Sequence, residues 1–144
     1  MSICMYARVK KEAINDESLK KYLEEFFMPI GNIIIQKDEN CVTYDKIYEN
    51  DNVVVSFIRK KTPPYNIYDS CLCNSEFEYT QLIIFDINKE YAHINTYNKI
   101  IDFCSFLNKK CKTDILITSD VYEEICLIGN KDTLWSNNLF CRKE

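Results

Sequence analysis

Residues 95–135 read NTYNKIIDFCSFLNKKCKTDILITSDVYEEICLIGNKDTLW, and the period of the apolar positions changes once inside that stretch. Tyr97, Ile100, Ile101, Cys104, Leu107 and Cys111 recur at helical spacing, and Phe103 and Phe106 widen the stripe. The spacing predicts a helix from Asn95 to Lys109 that packs on a sheet over much of its girth. Beyond it come Ile115-Leu116-Ile117-Thr118, Ile125-Cys126-Leu127-Ile128 and Thr133-Leu134-Trp135, separated by turns at Ser119–Tyr122 and Gly129–Asp132. Short β-branched runs broken by polar turns read as a meander of strands.

Upstream the same two signals repeat. Tyr79–Ile87 is a strong strand, and Val53-Val54-Val55-Ser56-Phe57-Ile58 is apolar on both faces, as a central strand would be. Val42–Ile47 and Ile33–Gln36 precede it across short polar turns, which favour antiparallel pairing. The chain opens with a strand at Ile3–Val9. A helix follows, marked by an Asn15 N-cap, an Ile14–Leu19 hydrophobic staple and the acids Asp16 and Glu17 in its first turn. Leu19, Tyr22, Leu23, Phe26 and Phe27 form its apolar face, and Pro29-Ile30-Gly31 ends it. Together these elements predict one α+β domain over residues 1–144. Its single, largely antiparallel sheet would hold about seven or eight strands, with two main helices packed on one face. Residues 60–78 read as an irregular loop that covers a sheet edge or contacts a partner.

Composition narrows the function classes. The formal charge is −4, so the chain lacks the basic balance of most nucleic-acid binders. Arg59-Lys60-Lys61 reads as solubilising charge at a strand end, and Lys109-Lys110 as cations at a helix C-terminus. No charged n-region precedes an apolar h-region, and no apolar run is long enough for a membrane span. A cytosolic location with reduced thiols is therefore expected. Of the 8 cysteines, only Cys71 and Cys73 are close, at a spacing that does not suit zinc; the set reads as small buried hydrophobes, with no metal or cofactor expected.

Catalysis finds little support in the residues. His93 is the one histidine and no motif pairs it with a thiol, so it reads as a surface or helix-start residue. Gly31 and Gly129 stand alone in turns, which excludes a phosphate-cradling loop. Glu123 and Glu124 would point to opposite faces of a strand, whereas Glu76 and Glu78 would share one if extended. The expectation is a protein that is not an enzyme.

The run Thr113–Thr118, then Glu124–Ile128, then Asn130-Lys131-Asp132-Thr133-Leu134-Trp135-Ser136-Asn137-Asn138, resembles the ending of the Sit-type immunity proteins of bacterial polymorphic toxin systems. Contact-dependent growth-inhibition immunity proteins are functionally alike. The likeness extends in element order over most of the chain, and departs around Cys71 and Cys73. It implies a small cytosolic protein that binds and neutralises the C-terminal domain of a cognate toxin, with no catalytic residues to carry over. If the toxin is a cationic nuclease, acids would speed encounter and aromatics would anchor the complex. The candidate contacts are Asp69, Glu76, Glu78, Asp120, Glu123 and Glu124, with Tyr65, Tyr68 and Tyr122 as anchors. A structural or adaptor subunit, or a small enzyme with a Cys nucleophile, are the competing expectations.

Overall fold

In the computed structural model, strand β1 (Ser2–Val9) alternates cleanly: Met5, Ala7 and Val9 are buried, while Cys4, Tyr6 and Arg8 line the opposite face. The structure describes residues 2–10, 16–27, 35–37, 41–44, 53–59, 66–88, 90 and 94–136. Asn15, Tyr65, His93 and Cys141 lie outside them, as do the roles expected of the first three. Strand β7 (Gln81–Asn88) repeats the alternation with Ile83, Phe85 and Ile87 inward, and pairs with β1 in antiparallel register from Ser2↔Asn88 to Val9↔Gln81.

Around this central pair lie β2 (Ile35–Lys37), β3 (Cys41–Tyr44) and β4 (Val53–Arg59) on one side. On the other lie β8 (Ile115–Ser119), β9 (Glu123–Ile128) and β10 (Thr133–Trp135). The order is β10-β9-β8-β1-β7-β4-β3-β2, an 8-stranded sheet in which every pairing is antiparallel. The expected α+β architecture is observed, and β4 is flanked on both sides, as its two apolar faces suggested.

Helices α1 (Asp16–Phe27) and α2 (Ile94–Cys111) supply the cover for one face. Leu19, Leu23 and Phe27 of α1 join Ile100, Ile101, Phe103, Cys104 and Leu107 of α2 in one core with the inward residues of β1, β4, β7, β8 and β9. Phe103, fully buried, is the hub: its ring lies 5.4 Å from Phe26, 5.1 Å from Phe27 and 6.0 Å from Phe85. Tyr22 and Phe26 also meet Phe106, at 5.8 and 5.6 Å. Such aromatic pairs add about 0.5–1.5 kcal/mol each beyond the area they bury.

The end of α2 is set by its side chains. Lys112 takes the left-handed conformation (φ 52°), and Asn108 Nδ2 donates to the Thr113 carbonyl at 2.8 Å, turning the chain into β8. At the next reversal Ser119 Oγ accepts from the amides of Val121 and Tyr122, at 3.3 and 2.8 Å. The β8–β9 ladder then gains one residue on the β9 side: Ile117 faces Cys126, but Thr118 faces Glu124. Ile125 is the extra residue of a bulge, and it joins Cys126 in the core.

Two readings need correction. Residues 66–79 are not an irregular loop, because β5 (Asn66–Ser70) and β6 (Ser75–Tyr79) form an antiparallel hairpin that is a second, two-stranded sheet. The expected strand Tyr79–Ile87 is also broken at Thr80, where the Thr80 amide donates to the Val9 carbonyl at 3.1 Å and β6 gives way to β7.

The Phe103 hub has a measurable weight. Phe103→Ala is expected to lower the unfolding free energy by about 3–5 kcal/mol, read from the urea midpoint. Phe106→Ala, at a partly buried position, should cost clearly less.

Candidate functional site

The hairpin repeats the alternation of the main sheet on a smaller scale. Ser70 and Phe77 are buried and Tyr68 and Tyr79 half-buried, whereas Ile67, Asp69, Glu76 and Glu78 are exposed. Its turn, Cys71–Asn74, closes with Asn74 left-handed at φ 54°, a conformation asparagine tolerates. Cys73 Sγ donates to the Ser75 carbonyl at 3.1 Å within that turn.

The inner face lies against the side of the main sheet opposite the helices. There Arg8 of β1 stands among three tyrosines, with its guanidinium carbon 4.4 Å from the ring centre of Tyr68, 5.3 Å from Tyr79 and 5.4 Å from Tyr6. Its Nη1 donates to Thr118 Oγ1, while Nε is buried with no hydrogen-bond partner among the described residues. Cation–π contacts of this kind contribute about 0.5–2 kcal/mol, more where water is excluded.

The second clamp is Glu124, only 9% exposed. Ser70 Oγ donates to its Oε1 at 2.5 Å, and the Cys71 amide donates to its Oε2 at 3.1 Å. The bulge is what makes this possible. With regular pairing beyond Ile117↔Cys126, Ser119 would face Glu124 and the carboxylate would point into the helix-covered core. One extra residue turns it to the hairpin side. Burial raises the Tyr68 phenol above its ordinary pKa and the Glu124 charge raises it further, while Arg8 pulls the other way.

A third polar group borders the clamps. Tyr6 donates to Asp120 Oδ1 at 2.9 Å, and the Cys4 amide donates to Asp120 Oδ2 at 3.0 Å. Burial and then the Asp120 hydrogen bond push the Tyr6 phenol up to about 12. The Cys4 thiol is raised by burial, then by Asp86 and Asp120.

The candidate contacts therefore separate into two sets. Asp69, Glu76, Glu78 and Glu123 are exposed, and none forms an ion pair with a described cation. Tyr68 and Glu124 are not outward contacts but parts of the clamp, and Tyr122 packs edge-on against Tyr97 with ring centres 5.6 Å apart. Asp120 is exposed but already holds Tyr6 and Cys4. Arg8 and Ser70 went unnoticed in the sequence. Arg8 had a signal, because it shares the polar side of β1 with Tyr6; Ser70 had none.

The cysteines divide as well. Cys104 and Cys126 are buried, with burial pushing Cys126 up to about 12 and raising Cys104 strongly. Cys71, by contrast, is exposed at the hairpin tip, which departs from the buried reading. Among the described residues no group of acids, thiols or imidazoles is placed to hold a metal ion, and no helix is long and apolar enough to cross a membrane. Comparisons with known protein families, with curated protein sequences and with solved structures gave no match.

Two outcomes are expected. Glu124→Ala strands the Ser70 hydroxyl and the Cys71 amide, so it should cost about 1–3 kcal/mol. Hydrogen exchange should show the loss concentrated in β5 and β6 rather than in β1 and β7. Tyr6 and Cys126 are both raised from ordinary values of 10 and 9 to about 12, so the fold favours their neutral forms. Their contribution is intact below pH 9 and lost as pH rises from 9 to 12. Urea melts should follow that fall, and Tyr6→Phe should flatten its part above pH 10.

Proposed function

We propose that this chain is a cytosolic immunity protein that binds a cognate toxin domain through the outer face of the β5–β6 hairpin. The observation that carries the reading is a pair of like charges. Asp69 and Glu76 are directly opposite across the two strands, on the same exposed face as Glu78 and next to Ile67, which is 51% exposed. Carboxylates in that register repel each other, and no described cation relieves them. A cationic protein surface would neutralise the pair, and the exposed isoleucine would give it an apolar contact.

The resemblance of the C-terminal third to Sit-type immunity proteins supports the same reading, as does the clamp beneath the hairpin. A face held in place before encounter loses little freedom on binding.

Charge reversal separates binding from folding. Asp69→Lys removes the repulsion and is expected to raise stability by about 0.2–1 kcal/mol. The same change should slow association with the partner, most strongly at low salt. The partner is to be captured from the native source by the tagged chain, identified by mass spectrometry, and its C-terminal domain expressed in a test host. The native chain should restore growth, and an Asp69→Lys/Glu76→Lys variant should not. Growth inhibition relieved equally by both would remove the hairpin face from the reading, and a captured partner with no growth effect would remove the immunity role.

A further inference from the structure

A two-stranded sheet has two outer edges. Among the described residues the main sheet ends in strands of 3 residues each, β2 and β10, and short edge strands offer little to an incoming chain. The hairpin is built otherwise. Its strands are 5 residues each and run in unbroken register from Asn66↔Tyr79 to Ser70↔Ser75, with no lysine, proline or bulge along either. Among the described residues neither outer edge is paired. Alternate amides and carbonyls of β6 therefore point away from β5, and no described strand receives them. Phe77, buried, holds the middle of β6 down, and Glu76 and Glu78 on either side of it stand outward.

We infer that the outer edge of β6 takes up an extended, lysine- or arginine-bearing segment of the partner as an added strand. This rests on the functional reading above and supplies its mode of capture. In strand addition the main chain provides affinity whatever the sequence, and alternate side chains provide selection. A strand laid beside β6 places its own alternate side chains about 5 Å from Glu76 and Glu78. Basic residues two apart fit that spacing; acidic ones are refused. An isolated hairpin is only marginally stable, but Glu124 and the Arg8 box already hold this one to the sheet. The ordering cost then falls on the incoming segment alone.

The test uses the full chain and two short synthetic peptides of equal charge. One alternates lysine with valine; the other has proline in place of each valine. The lysine–valine peptide should bind roughly tenfold or more tightly than the proline form, and in its complex the outward amides of β6 should exchange roughly tenfold or more slowly. Glu76→Lys/Glu78→Lys should abolish that preference and favour a glutamate–valine peptide instead. Equal binding of both peptides, binding without slowed β6 exchange, or no binding of either overturns strand addition. Those results leave the growth-rescue outcome untouched, so the capture mode and the immunity role fail separately.

Discussion

Past Ile117 the β8–β9 ladder carries one residue more on β9 than on β8, and the whole hairpin side of the molecule follows from it. A carboxylate buried among helices would need a cation or several donors to offset its desolvation. Turned to the other face, Glu124 finds two donors in Ser70 and Cys71, and the hairpin gains a fixed point at its tip. At its stem, the short link through Thr80 and the tyrosines around Arg8 fix the other end. The acidic outer face is thus a product of contacts made beneath it.

The two sides of the sheet are held by different physics. The helix side is an aromatic and aliphatic core centred on Phe103, where burial of area dominates and geometry is forgiving. The hairpin side is a polar seam of one arginine, one glutamate and three phenols, where each group needs its partner in place. Damage to the helix side should therefore be felt throughout the fold, and damage to the seam mostly by the hairpin.

Much of the architecture was legible because burial imposes its period on the residues. α2 was visible in the spacing from Tyr97 to Cys111, and β4 in a run apolar on both faces but for Ser56. The hairpin was misread because its inward positions include a serine and two tyrosines, and its turn carries cysteines, so the apolar-polar alternation is faint. Its outward acids were nonetheless recognised, since alternation alone places Glu76 and Glu78 together. The bulge could not be read at all. Ile125 and Cys126 are both apolar, and nothing in them says that two neighbours will share a face. With the bulge hidden, Glu124 passed for a surface acid.

β1 occupies the centre of the sheet, yet its neighbours come from far along the chain: Ser2 meets Asn88 and Val9 meets Ile115. A ribosome adding about 5–20 residues per second needs on the order of ten seconds to deliver both partner strands. Until then Met5, Ala7 and Val9 have no lattice to join, and their apolar row is open to any other nascent polypeptide. Assembly by way of such distant pairings is intrinsically slow. The central placement of the first strand makes this chain a natural client for whatever shelters emerging hydrophobic segments during translation.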